Sequence, residues 1–151
     1  MRHPSIHRLW DQYRIQEGCA PSEPPVAEHF CDNEIDANTC ADLICSELKR
    51  ATASALVSYQ DAGEPLPKPG KLLIVTNWIG EARALIRTHR VMVYRFADVP
   101  ATFAELEGEG DGTLAWWRAT HRAFWERTLI DHVVDDDLRV VCEEFALLTL
   151  T

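Results

Sequence analysis

Apolar residues along this chain recur at helical spacing in some stretches, alternate in others and form short continuous runs elsewhere, and these patterns divide it into elements. Pro4 at a first helical position, followed by Ile6, Leu9, Trp10 and Tyr13, predicts a helix to about Glu17 that Gly18 ends. Cys19–Val26, with Pro21, Pro24 and Pro25, reads as an extended surface connection. Asp36 or Asn38 is the expected cap of a second helix, whose Cys40, Leu43, Ile44 and Leu48 make an apolar stripe. Small, β-prone residues after Arg50 predict a short strand or turn at Ala51–Ser54.

Gly63–Gly70 carries Pro65, Pro67 and Pro69 and excludes a regular element, delivering the chain to an apolar β run, Lys71–Thr76. Asn77–Gly80 reads as a turn. Ala82–Phe96 is a long strand whose alternation slips near His89 and Arg90, where a β-bulge is expected. Pro100 opens a short helix through Glu107, and Gly108, Gly110 and Gly112 break it. Thr113 caps a helix running to about Leu129 on the stripe Leu114, Trp117, His121, Phe124 and Thr128, and Arg139–Thr149 is a final strand. Helices separated by β runs predict an α+β fold: a small mixed, partly closed β-barrel decorated by helices.

Length adds that the chain is one domain, residues 1–151, with a core at about 36–149 behind the N-terminal helix and Pro-rich connection of 1–35. A domain of this size buries roughly 70% of the surface its unfolded chain exposes, so no staple is required. No apolar run approaches the roughly 18 to 20 residues that span a bilayer, and Met1–Leu9 lacks a signal-peptide core, so a cytoplasmic protein without a membrane partner is expected. Five cysteines with no CxxC pair predict buried free thiols rather than disulfides or structural zinc. His29 and Cys31 are two ligand types with no second pair of metal spacing beside them.

The net charge of −9 opposes sequence-blind binding of a long polyanion. Acids crowd into Asp32–Glu47, Glu105–Asp111 and Asp131–Asp137, while Arg83, Arg87, Arg90, Arg95, Arg118, Arg122 and Arg127 fall between or among them. Either a local basic groove on an acidic body or arginines solvated on several faces fits that distribution.

Three segments carry a family resemblance. Leu48-Lys49-Arg50-Ala51-Thr52-Ala53-Ser54-Ala55-Leu56 contains a Lys-Arg-Ala-Thr-Ala-Ser block after a helix. Gly63-Glu64-Pro65-Leu66-Pro67 precedes Pro69-Gly70. Glu107-Gly108-Glu109-Gly110-Asp111-Gly112-Thr113-Leu114 continues through Trp117-Arg118, His121 and Phe124-Trp125. In this order and spacing they resemble the bacterial activating signal cointegrator homology (ASCH) family, over about Asp36–Thr149. The chain departs from that family's pattern at Glu47, where Gly is usual, at Lys71, where an acid is usual, and at Thr113, where Ser is usual. Glu47 is a carboxylate close enough in sequence to keep Lys49 charged.

The resemblance implies a PUA-like barrel, named for pseudouridine synthase and archaeosine transglycosylase, and RNA-associated function. Some members remove the acetyl group of N4-acetylcytidine with a Lys and a Thr three residues apart and a distant Glu, positions matched by Lys49, Thr52 and Glu107. Others are single-stranded RNA ribonucleases that use the block's Lys. A nucleoside or single-stranded RNA is then the expected partner, no cofactor is required, and a divalent metal enters only with the ribonuclease reading; a non-catalytic RNA-binding module is the third.

Hydrolysis of an amide needs a nucleophile, a base and donors for an oxyanion, which Thr hydroxyl, Lys amine and a carboxylate supply. For Lys49 to be the base its pKa must fall from about 10.4 to about 7, through burial or a cation such as Arg50. Arg50, Ser54, Tyr59 and Arg118 are the expected substrate or RNA contacts, with Tyr59 and Trp78 as stacking surfaces. Asp111 reads as a helix cap, Glu109 has no assigned role, and a divalent cation is a second option for the acidic loop. His121 reads as a hydrogen-bonded core residue. Lys49, Thr52 and Glu107 are expected to converge on one concave site with Arg118 at its edge.

Overall fold

The computed structural model describes residues 1–151 and gives the element order α1 (Pro4–Gln16), β1 (Ala27–Glu28), α2 (Glu34–Cys45), β2 (Ala51–Ala55), α3 (Leu56–Ala62), β3 (Leu72–Thr76), β4 (Ala82–Arg95), α4 (Ala101–Glu107), α5 (Leu114–Thr128) and β5 (Arg139–Leu150), with a 3₁₀ turn at Phe96–Asp98. The strands form one mixed sheet in the order β1-β3-β4-β5-β2. It is open at β1 and β2, which corrects the expected barrel: the α+β class holds, but the sheet does not close on itself. No helix is long and apolar enough to cross a membrane.

Strand alternation distributes the helices. Leu73 and Val75 of β3 pack with Ala41 and Ile44 of α2, whereas Ile74 between them packs with Ile6, Leu9 and Trp10 of α1. Successive strand side chains point to opposite faces, so α1 and α2 cover opposite sides of the sheet. A third cluster joins β2 and the far ends of β4 and β5 to α4 and α5 through Phe96, Phe103, Trp117 and Trp125. β4 serves two neighbours, pairing with β3 through its first half and with β5 along nearly all its length. The expected bulge is present: the β4–β5 register passes from Thr88 to Arg90 and leaves His89 unpaired.

The two-residue β1, parallel to β3, and the helix α3 carry too little periodicity to have been read from the sequence. The cap of α2 is Asn33, whose side chain accepts from the Asp36 amide, in place of Asp36 or Asn38. Leu48 lies beyond the end of α2 and is exposed, so it leaves the predicted stripe.

α2 ends in a Schellman arrangement: the Glu47 amide donates to the Ile44 carbonyl at 3.0 Å and the Leu48 amide to the Leu43 carbonyl at 2.9 Å. The residue in the left-handed position is Glu47, with φ of 60°. That conformation costs a non-glycine residue about 1 kcal/mol, which explains why Gly is usual there in the family it resembles. Glu47→Gly is therefore expected to stabilise the protein by about 1 kcal/mol, read as a rise in Tm of about 2 to 4 °C.

Candidate active site

Three backbone features bring the end of α2 against the end of α4. The Arg50 amide donates to the Leu106 carbonyl at 2.7 Å, and the Phe145 amide donates to the Arg50 carbonyl at 2.9 Å. Gly108, the left-handed cap of α4, lies so close to Leu48 that a Cβ on it would stand 2.6 Å from the Leu48 carbonyl carbon and 3.0 Å from the Lys49 nitrogen. Two residues 58 positions apart, Lys49 and Glu107, are consequently packed together, each less than 5% exposed.

Lys49 Nζ donates to Glu107 Oε2 at 2.5 Å and to Glu109 Oε2 at 2.9 Å. Glu107 Oε1 accepts from Trp117 Nε1 at 3.1 Å and lies 3.3 Å from His121 Nε2. His121 Nδ1 donates to the Trp117 carbonyl at 2.8 Å, and its ring stacks on Trp117 with centroids 4.2 Å apart. A buried charge is tolerated only when paired and hydrogen-bonded, and both Glu107 oxygens are engaged.

Burial alone would lower the Lys49 pKa, but the carboxylates of Glu107 and Glu109 outweigh it and hold the amine above its ordinary value. Burial alone would raise Glu107; Lys49, with help from His121, holds it well below the usual carboxylate range. Lys49 thus rests as an ammonium, the charge state in which the sequence reading leaves it electrostatic stabilisation rather than base chemistry. Glu107 and Glu109, not Glu47, keep it charged.

The pair lies on the wall of a cavity of about 860 Å³ between the sheet and α5. Thr52, Ser54 and Tyr59 line this cavity together with Lys49 and Glu107. Thr52 and Ser54 share a face of β2 because they are two residues apart. Arg50 and Arg118 do not belong to it. The Arg50 side chain is exposed to solvent outside the cavity, and only its backbone serves the site. Arg118 donates from Nη2 to the Ala97 carbonyl at 2.7 Å, tying α5 to the 3₁₀ turn rather than edging the cleft. Trp78 lies outside it too, its ring tilted against His29.

A basic groove is likewise absent. Arg83, Arg90, Arg95, Arg122 and Arg127 are each paired with a carboxylate, and Arg87 donates to the Tyr13 hydroxyl. The cavity wall itself carries seven carboxylates against three cations, Lys49, Lys71 and Arg127.

Asp111 is spent on structure: its Oδ1 accepts from the Thr113 amide and hydroxyl, and Thr113 caps α5 by accepting from the Trp116 amide. Sequence reasoning missed Glu109 as a partner of Lys49, Trp117 and His121 as partners of Glu107, and a second buried group on the cavity wall. There Glu143 accepts from Thr88 Oγ1 at 2.9 Å and faces Lys71 Nζ at 3.5 Å. The available signal was a carboxylate inside the apolar run of β5. Among the thiols only Cys40 and Cys142 are buried; Cys31 and Cys45 are half-buried and Cys19 is exposed.

Comparison with known proteins agrees with this architecture. The chain is similar to the crystal structure of an ASCH domain from Lactobacillus crispatus JV V101, with 32% identity, a TM-score of 0.84, and coverage of 97% of this chain and 95% of that one. It is also similar to protein EF3133 from Enterococcus faecalis V583, of family model DUF984, with 27% identity, a TM-score of 0.87, and coverage of 97% and 89%. No protein with a curated description matches it. The ASCH domain model matches residues 27–149, which is most of the chain, and the protein therefore belongs to the ASCH domain family.

Proposed function

We propose that this protein hydrolyses the amide of an acylated nucleoside of the N4-acetylcytidine kind. The observation that carries this reading is the buried Lys49–Glu107 pair on the wall of an acidic cavity that Thr52 also lines. A volume of about 860 Å³ suits a small molecule, for which pockets run to about 300 to 1,000 Å³. The excess of carboxylates on the wall opposes a phosphodiester strand and tolerates a neutral nucleoside, which favours amide hydrolysis over RNA cleavage or RNA binding. Trp116, Phe124 and Tyr59 provide aromatic surface for a base.

In this reading Thr52 Oγ, or a water it holds, attacks the acyl carbon. The Lys49 ammonium turns toward the carbonyl oxygen as negative charge develops there. Once it does so, burial of Glu107 is less fully offset, its pKa rises, and the carboxylate accepts the proton of the attacking hydroxyl. The carbon–nitrogen bond then breaks as Glu107 returns that proton to the departing N4 amine. With Thr52 as nucleophile, water completes the cycle by releasing acetate from the acyl-enzyme.

The test is incubation of the purified protein with N4-acetylcytidine. Cytidine and acetate are expected, and Thr52→Val is expected to lower kcat by about a hundredfold or more while leaving the fold intact. Absence of turnover, combined with Lys49-dependent degradation of single-stranded RNA, would replace this reading with a ribonuclease.

A further inference from the structure

Beside the Lys49–Glu107 pair lies a group of donors that amide hydrolysis does not use. Cys31 Sγ is 3.4 Å from Cys40 Sγ, and Cys40 Sγ donates to Glu109 Oε1 at 3.3 Å. The three ligand atoms all fall within 4.8 Å of one another. We infer that Cys31, Cys40 and Glu109 bind one zinc-class divalent cation, with its fourth coordination position open to the cavity.

Geometry is the first support. A tetrahedral ion with Zn–S of about 2.3 Å and Zn–O of about 2.0 Å sets the sulfurs about 3.8 Å apart and each sulfur about 3.5 Å from the oxygen. The observed 3.4 and 3.3 Å separations need to open by only a few tenths of an ångström. Two sulfurs and one carboxylate oxygen suit a borderline-soft ion better than magnesium or calcium.

Orientation is the second. Glu109 points Oε1 at Cys40 while Lys49 holds Oε2 at 2.9 Å, so the oxygen facing the sulfurs is free to ligate and its partner is already anchored. Ligating carboxylates are commonly fixed in this way by an outer hydrogen bond. Cys31 is held with φ of 66°, one of two non-glycine residues in the left-handed region, in the turn that presents its sulfur to α2.

Charge is the third. Before binding, Lys49, Glu107 and Glu109 and the two neutral thiols sum to a formal charge of −1. Binding adds two positive charges and releases two protons as the thiols become thiolates, so the sum is unchanged and no uncompensated charge is buried. All three ligands also line the cavity, and the fourth position is therefore accessible to water or to a ligand atom.

The experiment uses the full chain, reduced and stripped with a chelator, titrated with Co²⁺ and, separately, with Zn²⁺ against a chromophoric chelator. One equivalent is expected to bind, with thiolate-to-cobalt charge transfer and the visible bands of a tetrahedral ion. Cys31→Ser, Cys40→Ser and Glu109→Gln are each expected to weaken Zn²⁺ binding at least tenfold, and Cys19→Ser to leave it unchanged. Cys31 is half-buried, so its variant tests the site even if Cys40→Ser fails to fold. Absence of charge transfer at one equivalent, or wild-type binding by Cys31→Ser, overturns the inference; so does a purified chain whose Cys31 and Cys40 are joined as a disulfide that resists reduction. Because the readout is spectroscopic, it stands or falls separately from turnover of N4-acetylcytidine.

Discussion

Lys49→Met is expected to reduce turnover of N4-acetylcytidine by about 10²- to 10³-fold and to destabilise the protein by about 3 to 5 kcal/mol. In the proposed mechanism the first effect follows from removing the cation paired with Glu107 and Glu109, which would otherwise meet the developing oxyanion. The second follows from burial: Glu107 is 1% exposed, and without Lys49 its carboxylate loses its compensating charge. A methionine fills the volume of the lysine stem, so the loss is electrostatic rather than a cavity. Adding Glu107→Leu to this variant should recover part of the stability, because a buried ion pair replaced by apolar groups is often no less stable, but none of the turnover. Urea unfolding and product release read the two effects separately. Wild-type turnover by Lys49→Met would end the amide-hydrolysis reading, and unchanged stability in both variants would contradict a buried pair.

Gly108→Ala is also expected to be disruptive, although alanine adds a single methyl. The new Cβ would overlap the Leu48 carbonyl, and the neighbouring atoms are backbone, which cannot swing away. Overpacking of this kind costs about 1 to 3 kcal/mol, and the left-handed φ of 67° adds about 1 kcal/mol for a residue with a Cβ. A fall in Tm of about 6 to 12 °C is expected for a combined loss near 3 kcal/mol. The sharper signature is selective: relief of the overlap must separate α4 from the end of α2, and so Glu107 from Lys49. Turnover should fall by more than the unfolded fraction explains. Gly63→Ala is the comparison, since Gly63 has the same sign of φ with nothing within 4 Å of its would-be Cβ. Equal effects of the two substitutions would show that conformation, not contact, governs position 108.

How far these features were legible in the sequence depends on whether the signal was local. α1, α5, β3 and β4 announce themselves because each buries a face whose period matches its element. The bulge at His89 was legible because one extra residue inverts the alternation. α3 was not, as none of its residues is buried and its identity rests on backbone geometry. The open sheet was not legible either, since closure depends on whether β1 and β2 meet, and no residue pattern encodes that. At the site, the Lys49–Thr52 spacing and the acidic Gly-rich loop were visible. Their electrostatics were not, because Glu109 and Glu107 approach Lys49 only through tertiary packing. Arg118 failed for the same reason: helical phase placed it beside the stripe, and the Ala97 carbonyl claimed it.

The position of β5 has a further consequence, for the order in which the chain becomes a working molecule. It follows the other elements in sequence, yet it lies between β4 and β2, and its Phe145 amide also donates to the Arg50 carbonyl. An emerging polypeptide that stops before residue 139 would have β2 and the outer half of β4 without their partner, along with exposed strand edges. The Lys49–Glu107 contact would lack its support throughout that interval. Synthesis must therefore run through Phe145 before the pocket can be assembled, so that a chain stopping short of it holds aggregation-prone strand edges and an unfinished pocket.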